Sequence, residues 1–163
     1  MSGVPGFVFL VFESVSDPRF AGWASFRAAV DAGHVVSGPP LPAVEASPGG
    51  TGIWRLVAPN NRELGRSWSA YATFDEARGH VKQLQRDIGS LAVTGVRGPT
   101  SSQYGWVASL GERRVITSGR WFGASSTSLQ SAATMLAAFC SAEIAAEPVL
   151  AAMPARAVSR SRG

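Results

Sequence analysis

The chain has 163 residues, room for one domain or for two small halves that share a core. Hydrophobic residues make up 45% and charged residues 16%, a balance that excludes a wholly disordered chain. The net charge of +4 sits largely in the last residues, where Arg156, Arg160 and Arg162 have no acid beside them, so charge alone says little about nucleic acid.

In chain order, residues 7–13 form a β-branched and aromatic run that reads as one buried strand. "FVFLVF" is too short to span a bilayer and lacks the flanks of a leader segment, so a cytoplasmic protein without a membrane partner is expected. "SDPRFAGWASFRAAVDAG" reads as a helix: Asp17 caps it, Pro18 suits its first position and Gly33 its exit. Phe20, Trp23, Phe26 and Val30 fall near one face. Residues 36–52, rich in Pro, Gly and Ser, read as a loop or linker.

"WRLVAPNNRELGRS" is a hairpin turning at Pro59-Asn60-Asn61. Thr73 and Glu76 then make a capping box for a helix with the apolar stripe Ala77, Val81, Leu84 and Ile88, ended by Gly89. A strand over residues 91–96 leads to a second hairpin, from Tyr104 to about Phe122, turning at Gly111. A further helix is expected from "SSTSLQSA" to about Ala146, with Thr127 and Gln130 as capping box and Leu129, Ala133, Leu136 and Cys140 as stripe. Residues 147–153 read as a last strand, and residues 154–163 as a basic disordered tail.

A shift of 52 carries Trp54 onto Trp106, Arg62 onto Arg114, Leu64 onto Ile116, and the first stripe onto the second. Half-domains that cannot each bury a sheet face share a core, so a repeat has a physical reason. Here "WRLVAPNNREL", then Ser67 and Tyr71, then "FDEARGHVKQLQRDI" resemble the YegP-like family, small bacterial domains often found as tandem pairs. The chain departs from that pattern with Asn61 where a glycine is usual, and with Gly111-Glu112 in the second turn.

The resemblance implies an α+β fold of two strand–hairpin–helix–strand units. They would share one antiparallel sheet, pack helices on one face and exchange terminal strands. Residues 7–12 would supply the first strand of unit one. The chain then divides into an N-terminal strand, helix and linker (1–52), a repeat domain (53–153, units about 53–98 and 103–153) and the tail (154–163).

No metal-ligand spacing surrounds His34 or His80, and no nucleophile–base pair assembles by spacing. The lone Cys140 allows no intrachain disulfide and falls on the expected core stripe. Asp75 and Glu76 suit a helix start, and the serines of residues 125–131 suit another. Strand parity groups Arg62, Leu64, Arg66 and Trp68, and also Arg114, Ile116 and Arg120. A sheet covered on one side only would show these arginines and aromatics on the other. Leu64 and Ile116 share that parity, which argues for core there unless a bulge intervenes.

The expectation is a non-enzymatic binding module with a protein partner and no cofactor or metal. Its candidate surface is Arg55, Arg62, Arg66, Trp68, Arg114, Arg120, Phe20 and Trp23. The alternative is a nucleic-acid-associated protein using the hairpin arginines, the aromatics and the tail. Internal pseudo-symmetry favours a monomer, with homodimerisation through free strand edges left open.

Overall fold

The computed structural model describes residues 3–43 and 49–151. The basic tail, the end of the last expected strand and part of the linker lie outside the described residues. The elements are β1 (Gly6–Phe12), α1 (Pro18–Asp31), β2 (His34–Ser37), β3 (Gly52–Val57), β4 (Glu63–Ser67) and α2 (Phe74–Arg86), then β5 (Ala92–Arg97), β6 (Tyr104–Leu110), β7 (Arg113–Thr117), α3 (Ser125–Phe139), β8 (Glu143–Ile144) and β9 (Val149–Ala151). A 3₁₀ turn over Ile88–Ser90 follows α2. The fold is α+β, with one sheet in the order β2-β5-β6-β7-β4-β3-β1-β8 and β9 also on β1.

The two hairpins meet at the centre, where β4 pairs antiparallel with β7, Ser67 opposite Ile116. β1 lies on the outer side of β3 with Phe9 opposite Trp54. β5 leaves the first hairpin and pairs along its length with β6, while β8 and β9 return to β1 at the other end. The sheet is mixed rather than wholly antiparallel, because β8 and β9 run parallel to β1. β1 already takes the place beside β3 that β5 takes beside β6. A strand arriving after α3 in the matching direction must therefore add outside β1 and run alongside it.

Both unit helices pack on one face, over a core of Phe7, Phe9, Trp54, Leu56, Trp106, Ile116, Val81, Leu84, Met135 and Phe139. Each such large side chain contributes roughly 1.5–3 kcal/mol by leaving water. The aromatic face of α1 finds its partner on the opposite side of this same sheet. Phe20 and Trp23 pack on Phe12, Ile53 and Ala70, and Val30 packs on Trp68, Val96 and Val107. Asp17 caps α1 by accepting from the Arg19 N–H at 2.9 Å.

The expected linker begins with a strand. β2 pairs with β5 at the sheet edge, too short at four residues to show a period. Gly38 then turns the chain at φ +83, where an added Cβ would stand 2.5 Å from the Val93 carbonyl oxygen. The following strap crosses the α1 side of the sheet, held by Thr94 Oγ1 donating to Pro39 O (2.7 Å) and Arg114 Nε donating to Pro42 O (2.8 Å).

α3 stops at Phe139, well short of the expected Ala146. Gln85 on α2 donates its amide to the Phe139 and Ala142 carbonyls at 3.0 and 3.1 Å, serving acceptors that the helix end leaves free. The N-cap of α3 is Ala124, so Thr127 and Gln130 lie inside the helix and form no capping box. At α2 the expected cap forms, Thr73 Oγ1 accepting from the Glu76 N–H at 3.1 Å.

The shift between the units changes at the turn. Val57 faces Glu63 in the first hairpin and Ser109 faces Arg114 in the second, so the second loop is one residue shorter. Asn61 (φ 70) and Gly111 (φ 60) supply the left-handed residue of each turn. From there the matching shift is 51. Ala77, Val81 and Leu84 correspond to the buried Ser128, Ala132 and Met135, and Cys140 is exposed rather than on the core stripe. The stripe Leu129, Ala133, Leu136 and Cys140 thus stands one residue late, because a uniform shift of 52 misses the shortened turn.

Candidate functional site

A bulge in each hairpin sorts the candidate arginines. The register shifts between Leu56 and Val57 in one and between Ala108 and Ser109 in the other. The extra residue sends Leu64 into the core under the unit helices and turns Arg66 and Trp68 towards α1. In the second hairpin Val115 and Ile116 join the core, while Arg114 faces α1. Plain alternation therefore groups Leu64 with Arg66, and Ile116 with Arg114, where the structure separates them.

On the α1 side the candidates are engaged within the molecule. Arg114, its side chain 8% exposed, donates to Asp31 Oδ1 at 2.7 Å and to Pro42 O, and its guanidinium lies 5.1 Å from the Trp68 ring centroid. Arg27 lies 5.0 Å from the same ring. Burial holds the Arg27 pKa below its ordinary value, the nearby Asp31 charge opposing this. Glu63 accepts from Arg66 at 2.6 and 3.0 Å and from Arg55 at 3.4 Å. Trp23 Nε1 donates to Ser67 O at 3.0 Å. Phe20, Trp23 and Trp68 are buried, and α1 and the strap cover the face on which a sheet covered on one side only would have shown arginines and aromatics.

Two candidates remain outside this arrangement. Arg62 and Arg120 are exposed, and neither has a carboxylate partner among the described residues. Both line a cleft of about 270 Å³ between the start of β4 and α3, together with Leu64, Phe122, Thr127, Gln130, Ser131 and Thr134. Arg120 lies 4.7 Å from the Phe122 ring centroid, which positions its guanidinium over an apolar wall. Glu63 also reaches the cleft, but its oxygens are taken by Arg55 and Arg66. Ser131 Oγ accepts from Trp106 Nε1 at 3.3 Å, leaving the serine proton free to be donated.

The matching place in the first unit is occupied differently. Tyr71 stands where the second unit has Phe122, each bridging to the first strand of its hairpin unit. His80 stands where the second has Ser131. Trp54 Nε1 donates to the Tyr71 hydroxyl at 3.2 Å, which meets His80 Nδ1 at 2.5 Å. Burial raises the Tyr71 pKa. Burial, then the Arg113 charge, lowers that of His80. The pair is therefore neutral, with tyrosine as donor and imidazole as acceptor.

Arg62 and Arg120, which strand parity puts in separate groups, come together at one cleft across the two hairpins. Thr127, Gln130 and Thr134 were missed as site residues, and the sequence reads Ser131 as part of a serine cluster that starts a helix, with anion binding as the alternative use. The signal that finds them is the shortened second turn, which sets the helix phase. Among the described residues no group of three or more His, Cys, Asp or Glu side chains stands close enough to hold a metal ion. No helix there is long and apolar enough to cross a membrane. Comparison with protein-family models, curated proteins and solved structures finds no match to this chain.

Proposed function

We propose that the chain is a non-catalytic binding module of YegP-like type that captures an anionic group in the cleft between β4 and α3. The observation that carries this reading is the pair Arg62 and Arg120, which line one concave polar site and have no carboxylate partner among the described residues. Guanidinium stays charged at all ordinary pH and presents a rigid fork of donors to oxyanions. The exchanged strands and the two tryptophan-bearing hairpins support the YegP-like assignment.

An amide NMR titration of the full chain with sodium citrate and sodium sulfate tests the reading. Saturable shifts are expected at Arg62, Arg120 and residues 125–134, and their loss in the Arg62→Ala/Arg120→Ala double variant. Shifts that survive in that variant, or no saturable shifts at all, overturn it. Nucleic-acid association is the competing outcome. It would appear as oligonucleotide binding that falls steeply with salt and weakens on removal of residues 155–163.

A further inference from the structure

We infer that the group held in this cleft is a phosphoryl dianion carried by a compact phosphomonoester. The inference rests on the reading of the cleft as an anion site and adds its chemistry.

Charge balance comes first. Glu63 is satisfied by Arg55 and Arg66, so among the described residues the positive charges of Arg62 and Arg120 stay uncompensated. Two such charges match one dianion, and a phosphomonoester carries about −1.5 to −2 near neutral pH.

The donor set points the same way. Ser131 Oγ is already an acceptor for Trp106 Nε1, so it offers its proton outward. Thr134 Oγ1 donates to Gln130 O at 3.1 Å within the helix. That leaves the Ser131 and Thr127 hydroxyls and the Gln130 amide as donors, beside Arg62 and Arg120. A ligand here meets mostly donors. A planar carboxylate fills one fork with its two oxygens, whereas the three terminal oxygens of a phosphoryl group supply both forks and a hydroxyl.

Size sets the remaining limit. The cleft, about 270 Å³, lies below the usual range of roughly 300–1,000 Å³ for drug-sized ligands. It therefore takes a phosphoryl group with a small attached body. Phe122, under Arg120, gives that body an apolar wall.

The experiment is calorimetric and NMR titration of the full chain with inorganic phosphate, glycerol 3-phosphate, malonate and a single-stranded oligonucleotide. Glycerol 3-phosphate is expected to bind at least about tenfold more tightly than malonate, and Arg62→Ala or Arg120→Ala to weaken it by at least about tenfold. Both arginines are exposed, so either variant should fold. Phosphate affinity should fall as pH drops below about 6, where the dianion takes up a proton. Equal binding of malonate overturns the phosphoryl assignment and leaves the anion site standing. Failure of every anion to bind overturns both. Oligonucleotide binding tighter than glycerol 3-phosphate overturns the small-molecule occupant.

Discussion

The two hairpin–helix units agree behind their tryptophans and differ in front of them. Ser67 Oγ accepts the Trp54 N–H at 3.3 Å, and Ser118 Oγ accepts the Trp106 N–H at 3.2 Å. A buried N–H must be paired in either unit, so the backbone side of the design is constrained twice over. The side chains beyond it are not. At matching places Glu63 and Arg114 carry opposite charges, and Tyr71 with His80 faces Phe122 with Ser131. Gly65 matches Ile116, and a Cβ on Gly65 would meet Trp106 and Met135 at 3.1 and 3.2 Å, in space the other unit's side chains already use. Pairing needs keep the units alike, while packing against different neighbours sets them apart.

Substitutions at matched positions test this contrast. The largest effect is expected between Arg114→Ala and Glu63→Ala. Losing Arg114 frees α1 and the strap together and leaves the Trp68 face uncovered, at a cost of about 3 kcal/mol, whereas losing Glu63 costs about 1 kcal/mol. Urea unfolding midpoints measure both, and an equal cost would remove the asymmetry. Next, Tyr71→Phe leaves Trp54 Nε1 and His80 Nδ1 without their partner and should destabilise by about 2 kcal/mol. The reverse change in the other unit, Phe122→Tyr, should be close to neutral; a comparable loss would show that both places need the same chemistry.

A smaller gain is expected from Ser128→Ala. Ser128 Oγ is buried with no hydrogen-bond partner among the described residues, where the first unit has Ala77, so the variant should be more stable by about 1 kcal/mol. Thermal unfolding reads this directly, and a loss would mean the hydroxyl is satisfied. The smallest effect is the pH dependence from His80. Its folded pKa is depressed below the usual 6.5, so between the two values the unfolded chain binds more protons. The contribution is complete above pH 6.5 and is lost as pH falls through the folded value. Unfolding followed from pH 7.5 downwards should show this slope flattened in His80→Gln; an unchanged slope would assign the dependence to other groups.

Much of this fold was legible where a residue has one local job. Thr73 and Asp17 as caps, and Asn61 and Gly111 as left-handed turn residues, follow from local rules, whereas the partnership of residues 7–12 with the Trp54 strand comes only from the family resemblance. The site was legible only in part. Arg62 and Arg120 stood among the candidates, but so did Arg66 and Arg114, which the bulges turn under α1. A bulge inserts one residue without changing composition, so an alternating count keeps running past it and assigns the wrong face. The short turn has the same effect on a helix, moving the stripe by one residue to Ser128, Ala132 and Met135.

β1 illustrates how chain order bears on synthesis. Its inner neighbour β3 follows by Val57, but the outer neighbour β9 lies among the last described residues, with Leu10 opposite Val149. A growing chain emerging from the ribosome therefore displays the outer edge of β1 while both hairpins and both unit helices are made. That edge becomes covered only when residues 143–151 have been released. Until then it is a template for any extended segment nearby, so the nascent protein stays open to mispairing from the making of β3 until β8 and β9 arrive.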